Sequence, residues 1–98
     1  MHEFLTKIVN STDAIVLDAW AEWCGPCKAI APKIEEFSTT YPAAKFYKVD
    51  VDKVPDVAQE LGIRAMPTII YFKDGQKFTE VIGANQHQIE EQIQALVA

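Results

Sequence analysis

Cys24 and Cys27 are the only thiols in the chain, three residues apart in "AEWCGPCKAIAP". Such a pair can act as a staple, as part of a metal site, or as a dithiol that opens and closes. A staple here would contribute little, because closing so short a ring restricts the unfolded chain by about 2 kcal/mol, against about 3 for a fifteen-residue loop. A metal site would need more ligands. Zinc takes four, and the usual signal is a second CxxC or a paired histidine motif. The only histidines, His2 and His87, lie at opposite ends of the chain and read as solvated surface residues, so no metal is expected. Two inert core cysteines are a further reading. They leave the bracketing Trp23, Gly25 and Pro26 unexplained.

The surroundings fit a working dithiol. The apolar run "AIVLDAW" reads as a strand buried on both faces, and it leads straight into the cysteine loop. After the loop, Ile30, Ile34, Phe37 and Tyr41 fall on one helical stripe. A strand running into Cys-x-x-Cys with a helix directly behind it leaves the first cysteine at the helix N-terminus. Unpaired N–H groups and the positive end of the dipole favour a thiolate there. The second thiol is then close enough to attack a mixed disulfide formed on the first. Pro26 suits the first helical turn, whereas Pro32, further in, should bend the helix. Gly-Pro between the cysteines brings no charge that would make the pair more oxidising, which favours a reductant.

The remaining elements follow from pattern. Phe4, Leu5, Ile8 and Val9 recur at helical spacing and predict an opening helix. "KFYKVDV" is the next strand after the long helix, and strand–helix–strand in that order implies a right-handed parallel crossover. "VPDVAQELG" reads as a short helix with Pro55 early and Gly62 as its stop. "TIIYF" and "KFTEVI" are strands joined through Asp74-Gly75, a strong hairpin signal. In a final helix Ile89, Ile93, Leu96 and Val97 share a face, and Asn85 with Gln88 are spaced like a capping box.

The 98 residues fit one domain, 1–98, and a 49% hydrophobic content can build its core. The formal net charge of -5 repels nucleic acid and anionic lipid. No apolar segment is long enough to span a bilayer, and no signal-peptide pattern opens the chain. Neither a nucleic-acid nor a membrane partner is expected, and the cytoplasm is the expected location.

"WCGPC" at Trp23–Cys27, Asp18 upstream and "AMPT" at Ala65–Thr68 together resemble the thioredoxin family, in a eukaryotic cytosolic, fungal-like flavour. "FYKVDVD", "GIRAMPT" and "FKDGQ" also fall where thioredoxins carry similar segments, so the likeness covers nearly the whole chain. It implies an α/β fold with a central mixed sheet flanked by helices. Thioredoxins usually begin with a strand before the first helix. This chain starts at the helix, so four strands are expected, with "KFYKVDV" an exposed edge.

The resemblance also implies site roles. Cys24 would be the exposed nucleophile and Cys27 the recessed resolving thiol, the two forming the redox-active disulfide without a bound cofactor. Asp18 would be a buried proton relay near Lys48. A cis peptide before Pro67 would hold an extended client backbone beside Met66. Trp23, Gly25, Pro26, Met66, Gly83 and Ala84 would line the landing patch. The expected activity is protein-disulfide reduction and electron transport in cell redox homeostasis. Disulfide-containing proteins would be the clients and an NADPH-dependent thioredoxin reductase the electron donor. A monomer is expected, with the edge strand open to pairing in a dimer. The alternatives are a non-catalytic binding module on the same fold, or a disulfide oxidase or isomerase.

A lowered thiol pKa near 7 is a known family value rather than something read from these residues. Moving a thiol from about 8.5 to about 7 raises the thiolate fraction at pH 7 roughly sixteen-fold. The accompanying fall in nucleophilicity takes back roughly five-fold. Most of the rate must therefore come from orientation.

Overall fold

A computed structural model describes residues 3–98; the expectation for His2 lies outside the described residues. The elements run α1 (Glu3–Val9), β1 (Ala14–Trp20), α2 (Gly25–Thr40), β2 (Ala44–Asp50), α3 (Pro55–Leu61), β3 (Thr68–Lys73), β4 (Gln76–Ile82) and α4 (Gln86–Val97). The four strands form one sheet in the order β2-β1-β3-β4. β1 is parallel to β2 and antiparallel to β3, and β3 is antiparallel to β4. Among the described residues the sheet is therefore mixed with β2 at one edge, in line with the expectation drawn from the resemblance.

Alternation along β1 divides the core into two layers. Val16 joins Ile30, Ile34 and Phe37 of α2 and Ile89, Ile93 and Leu96 of α4 on one face. Ile15, Leu17 and Ala19 join Leu5 and Ile8 of α1 and Val57 of α3 on the other. Burial of the whole interior of β1 on both faces explains its unbroken apolar character.

Several sequence signals are realised with small corrections. Val9, the last residue of α1, is 44% exposed, and the residues of α1 that are buried are Leu5 and Ile8. Tyr41 is not a helical residue but the C-cap of α2, its N–H donating to the Phe37 carbonyl. Pro32 lies inside α2, which continues to Thr40. Only half of the capping box forms: Asn85 Oδ1 accepts from the Gln88 N–H at 3.0 Å. Gly62 ends α3 in the left-handed conformation (φ 71°).

The β3–β4 turn carries positive φ at both central residues, Asp74 (53°) and Gly75 (76°), as a type I′ hairpin requires. A Cβ at Gly75 would also collide with the Val9 carbonyl at the end of α1. Gly75→Ala therefore meets both an unfavourable φ and a backbone clash. We expect it to destabilise the fold by about 2 kcal/mol or more, read as a lower urea midpoint at unchanged m-value.

Candidate active site

Cys24 is the N-cap of α2, with an extended backbone (φ -88°, ψ 103°). Its Sγ accepts a hydrogen bond from the Cys27 N–H at 3.2 Å, which is one of the otherwise unpaired donors of the first helical turn. Pro26 occupies that turn without cost, since it has no N–H to satisfy. The two cysteines are joined in a disulfide with Cα atoms 5.3 Å apart. When the bond opens, negative charge on Cys24 Sγ faces the helix N-terminus and a backbone donor. Both favour the thiolate.

The expected contrast in exposure between the cysteines is corrected. Cys24 is 4% exposed and Cys27 2%, and both pack with Ala21 beside Trp20, Val51 and Met66. Bonding to Cys27 holds the Cys24 sulfur against the helix start. What is open around it is the rim: Trp23 is 69% exposed, and Gly25 and Pro26 are exposed too. In the bonded state the two sulfurs thus differ by position, one capping the helix and one inside it, more than by access.

Asp18 is buried within β1, on the same sheet face as Val16 and hence under α2 and α4. Its Oδ1 has no hydrogen-bond partner among the described residues. Desolvation pushes its pKa up to about 6, an effect moderated by the positive charge of Lys48. Lys48 is Asp18's register partner in β2. It is itself exposed, with Nζ 5.7 Å from the centroid of the Trp20 ring. The register on the other side places Asp18 opposite Ile69 and Ala19 opposite Thr68, which follows Pro67 directly.

The Met66–Pro67 peptide is cis, and Pro67 is fully buried. Pro67 is tied to the end of β4, where its carbonyl accepts from the Gly83 N–H at 2.8 Å. Strand pairing of Thr68 with Ile82 continues this contact, so Met66, Pro67, Gly83 and Ala84 come together from two segments. Gly83 has φ 102°, a conformation that disfavours any side chain there. Met66 also packs against the cysteine cluster, which joins this ledge to the disulfide. Among the described residues no group of three or more His, Cys, Asp or Glu side chains could hold a metal.

The Thioredoxin family model matches residues 1–95. The chain belongs to the thioredoxin family. It is 50% identical over 89 residues to thioredoxin-1 of Schizosaccharomyces pombe, covering 91% of this chain and 86% of that one. It is 48% identical over 94 residues to a thioredoxin of Coprinus comatus, covering 94% and 89%. The crystal structure of Malassezia sympodialis thioredoxin superposes with a TM-score of 0.92 at 41% identity, covering 99% of this chain and 86% of that one. These three relatives are fungal, in line with the resemblance, and the fold is the thioredoxin fold. With its Cys24–Cys27 disulfide this thioredoxin is a thiol-disulfide oxidoreductase.

Three residues near the site of this thioredoxin escaped the reading of the sequence. Asp52 Oδ2 accepts from the Trp23 indole N–H at 2.8 Å, anchoring an otherwise exposed ring to the loop after β2. "VDVD" at Val49–Asp52 shows two acids, but no periodicity marks the second as a tether. Tyr71, fully buried, donates its hydroxyl to the Ile89 carbonyl at 3.0 Å; desolvation first, then the Asp18 charge, raise its pKa. A tyrosine inside "TIIYF" was the available signal. Ile82, 60% exposed, extends the apolar ledge next to Gly83. Its exposure follows from the strand register, which the sequence leaves open.

Proposed function

We propose that the chain reduces protein disulfides, with Cys24 as nucleophile and Cys27 as resolving thiol. The observation that carries this reading is the placement of Cys24 as N-cap, with its Sγ accepting from the Cys27 N–H. In the reduced protein the Cys24 thiolate attacks one sulfur of a client disulfide. That bond breaks, a mixed disulfide forms, and the client's other sulfur leaves as a thiolate that takes up a proton. Cys27 then loses its proton towards Asp18 and attacks Cys24 Sγ. The second client sulfur is released, and the pair is left as the disulfide. Two electrons have passed to the client, which gains two protons overall.

Asp18 suits the proton step because its pKa of about 6 lies near working pH, where a carboxyl can both accept and return a proton. Lys48 keeps that value from rising further. The cis Met66–Pro67 ledge, with Trp23, Gly25, Pro26, Gly83 and Ala84 around it, holds an extended client backbone beside the sulfurs. An NADPH-dependent thioredoxin reductase returns the electrons, and the protein works in the cytoplasm as a carrier in cell redox homeostasis. A docking module on the same fold would need neither thiol. An oxidase or isomerase is disfavoured by the uncharged Gly-Pro between the cysteines.

If orientation supplies most of the rate, Pro67→Ala should slow reduction of a protein disulfide by about tenfold or more. Reduction of a small aromatic disulfide should change much less. The comparison uses thioredoxin reductase and NADPH in excess. Equal losses towards both substrates would overturn the role of the ledge.

A further inference from the structure

Tyr71 stands where the core has no packing need for a hydroxyl. Phenylalanine would fill the same fully buried space, and a phenol loses its water on burial unless a partner replaces it. The partner is the Ile89 carbonyl, 3.0 Å away in the first turn of α4. Within a helix that carbonyl already serves the N–H four residues on, so Tyr71 uses its second lone pair. The bond is therefore a tether between β3 and α4 rather than the repair of an orphaned carbonyl.

A second tyrosine holds the neighbouring residue. Tyr41, the C-cap of α2, donates to Glu90 Oε2 at 2.7 Å and accepts from Gln94 Nε2 at 2.9 Å. Asn85 fixes the start of the helix by capping the Gln88 N–H. α4 is thus pinned at Ile89 and Glu90 from two separate elements, β3 and α2.

The pinned helix lies over the face of the sheet that holds Asp18. Asp18 pairs with Ile69 and Val16 with Tyr71, so Asp18 and Tyr71 are diagonal neighbours on one face. α4 turns Ile89, Ile93 and Leu96 to that face, and α2 turns Ile30, Ile34 and Phe37, none of them titratable. The charged or titratable groups around Asp18 are Lys48 of β2, Tyr71 of β3 and Cys27 of α2. Cys27 is bonded to Cys24 and does not titrate in this state. The Tyr71 hydroxyl is committed to Ile89, and Asp18 Oδ1 has no partner among the described residues. Exclusion of solvent is therefore the main influence on this carboxyl, with Lys48 opposing it.

We propose that Tyr71 is a positioning residue for the proton step: its tether to Ile89 keeps α4 seated over Asp18 and so keeps solvent from the carboxyl. Tyr41 serves the same end from α2 through Glu90. The consequence for the reaction rests on the reading of Asp18 as proton relay; the seating of α4 does not. With the tether cut, α4 opens more often, solvent reaches Asp18, and the carboxyl gives up its proton at lower pH.

The test is the titration of Asp18 itself, followed by carboxyl-carbon NMR on the oxidised full chain. Tyr71→Phe keeps the ring and removes only the hydroxyl. Asp18 should then titrate lower by about half a pH unit or more, and the amides of α4 should exchange faster. Adding Tyr41→Phe, which releases Glu90 as well, should extend both effects. Ile8→Val takes a methyl group from the opposite layer at a comparable cost in stability, and should leave the Asp18 titration in place. An unmoved or raised titration in Tyr71→Phe would overturn the proposal, as would an equal shift in Ile8→Val. The acid limb of client reduction should follow the titration downwards. A limb that stays put while the titration moves would support the tether and remove Asp18 from the proton step.

Discussion

Cys27→Ser should turn the protein into a covalent trap. Mixed with a disulfide-containing client, the variant should accumulate a mixed disulfide that survives denaturing, non-reducing electrophoresis and disappears on adding thiol. Cys24→Ser should form none, and its reductase activity should fall on the order of a thousandfold or more, as when a covalent nucleophile is removed. The asymmetry comes from position. Cys24 Sγ caps α2 and accepts from the Cys27 N–H, so that sulfur is the better stabilised thiolate. Because the two residues are almost equally buried in the bonded form, the experiment separates helix position from access as the source of the roles. Trapping by the Cys24→Ser variant would reverse them.

The second large effect concerns Asp18, where activity and stability should move in opposite directions. Burial raises its pKa from 3.8 to about 6, so the native protein keeps a proton that the unfolded chain gives up near pH 4. Between those values the folded state binds more protons, and stability falls as pH rises through the interval. Above pH 6 the full cost is present, about 3 kcal/mol for a shift of this size. Asp18→Asn removes the charge while keeping the shape. It should stabilise the protein by about 2 kcal/mol at pH 8 and by almost nothing at pH 4, measured by urea unfolding at both. The same variant should slow client release by about a hundredfold at pH 7, at the low end for loss of a general base. A stability gain independent of pH would show that the carboxylate is not the strained group.

Much of this was legible in the sequence because the signals are local. The Cys-x-x-Cys between an apolar strand and an amphipathic helix marks the N-cap, Asp74-Gly75 marks the hairpin, and Gly62 marks a helix end. Asp18 stood out as one acid in an apolar run, and the structure buries it. What the sequence did not reveal depends on contacts between distant segments. The Trp23–Asp52 bond spans two loops, and the Gly83 N–H reaches Pro67 only once β3 and β4 are in register. The exposure of Cys24 was misjudged because sequence says nothing about what an oxidised pair packs against. Pro67 by itself reads as punctuation before a strand; only the family likeness suggested the cis peptide.

The order of the sheet has a consequence for how the chain is made. β1 is translated early, yet it takes β2 on one side and, more than half the chain later, β3 on the other, as in the pairing of Ile15 with Phe72. Contacts so distant in sequence form slowly. Both cysteines are therefore in place along the chain before β3 (Thr68–Lys73), the strand that completes their cradle, has been added. The chemistry is laid down first and sheltered last, by the pairing most distant in sequence.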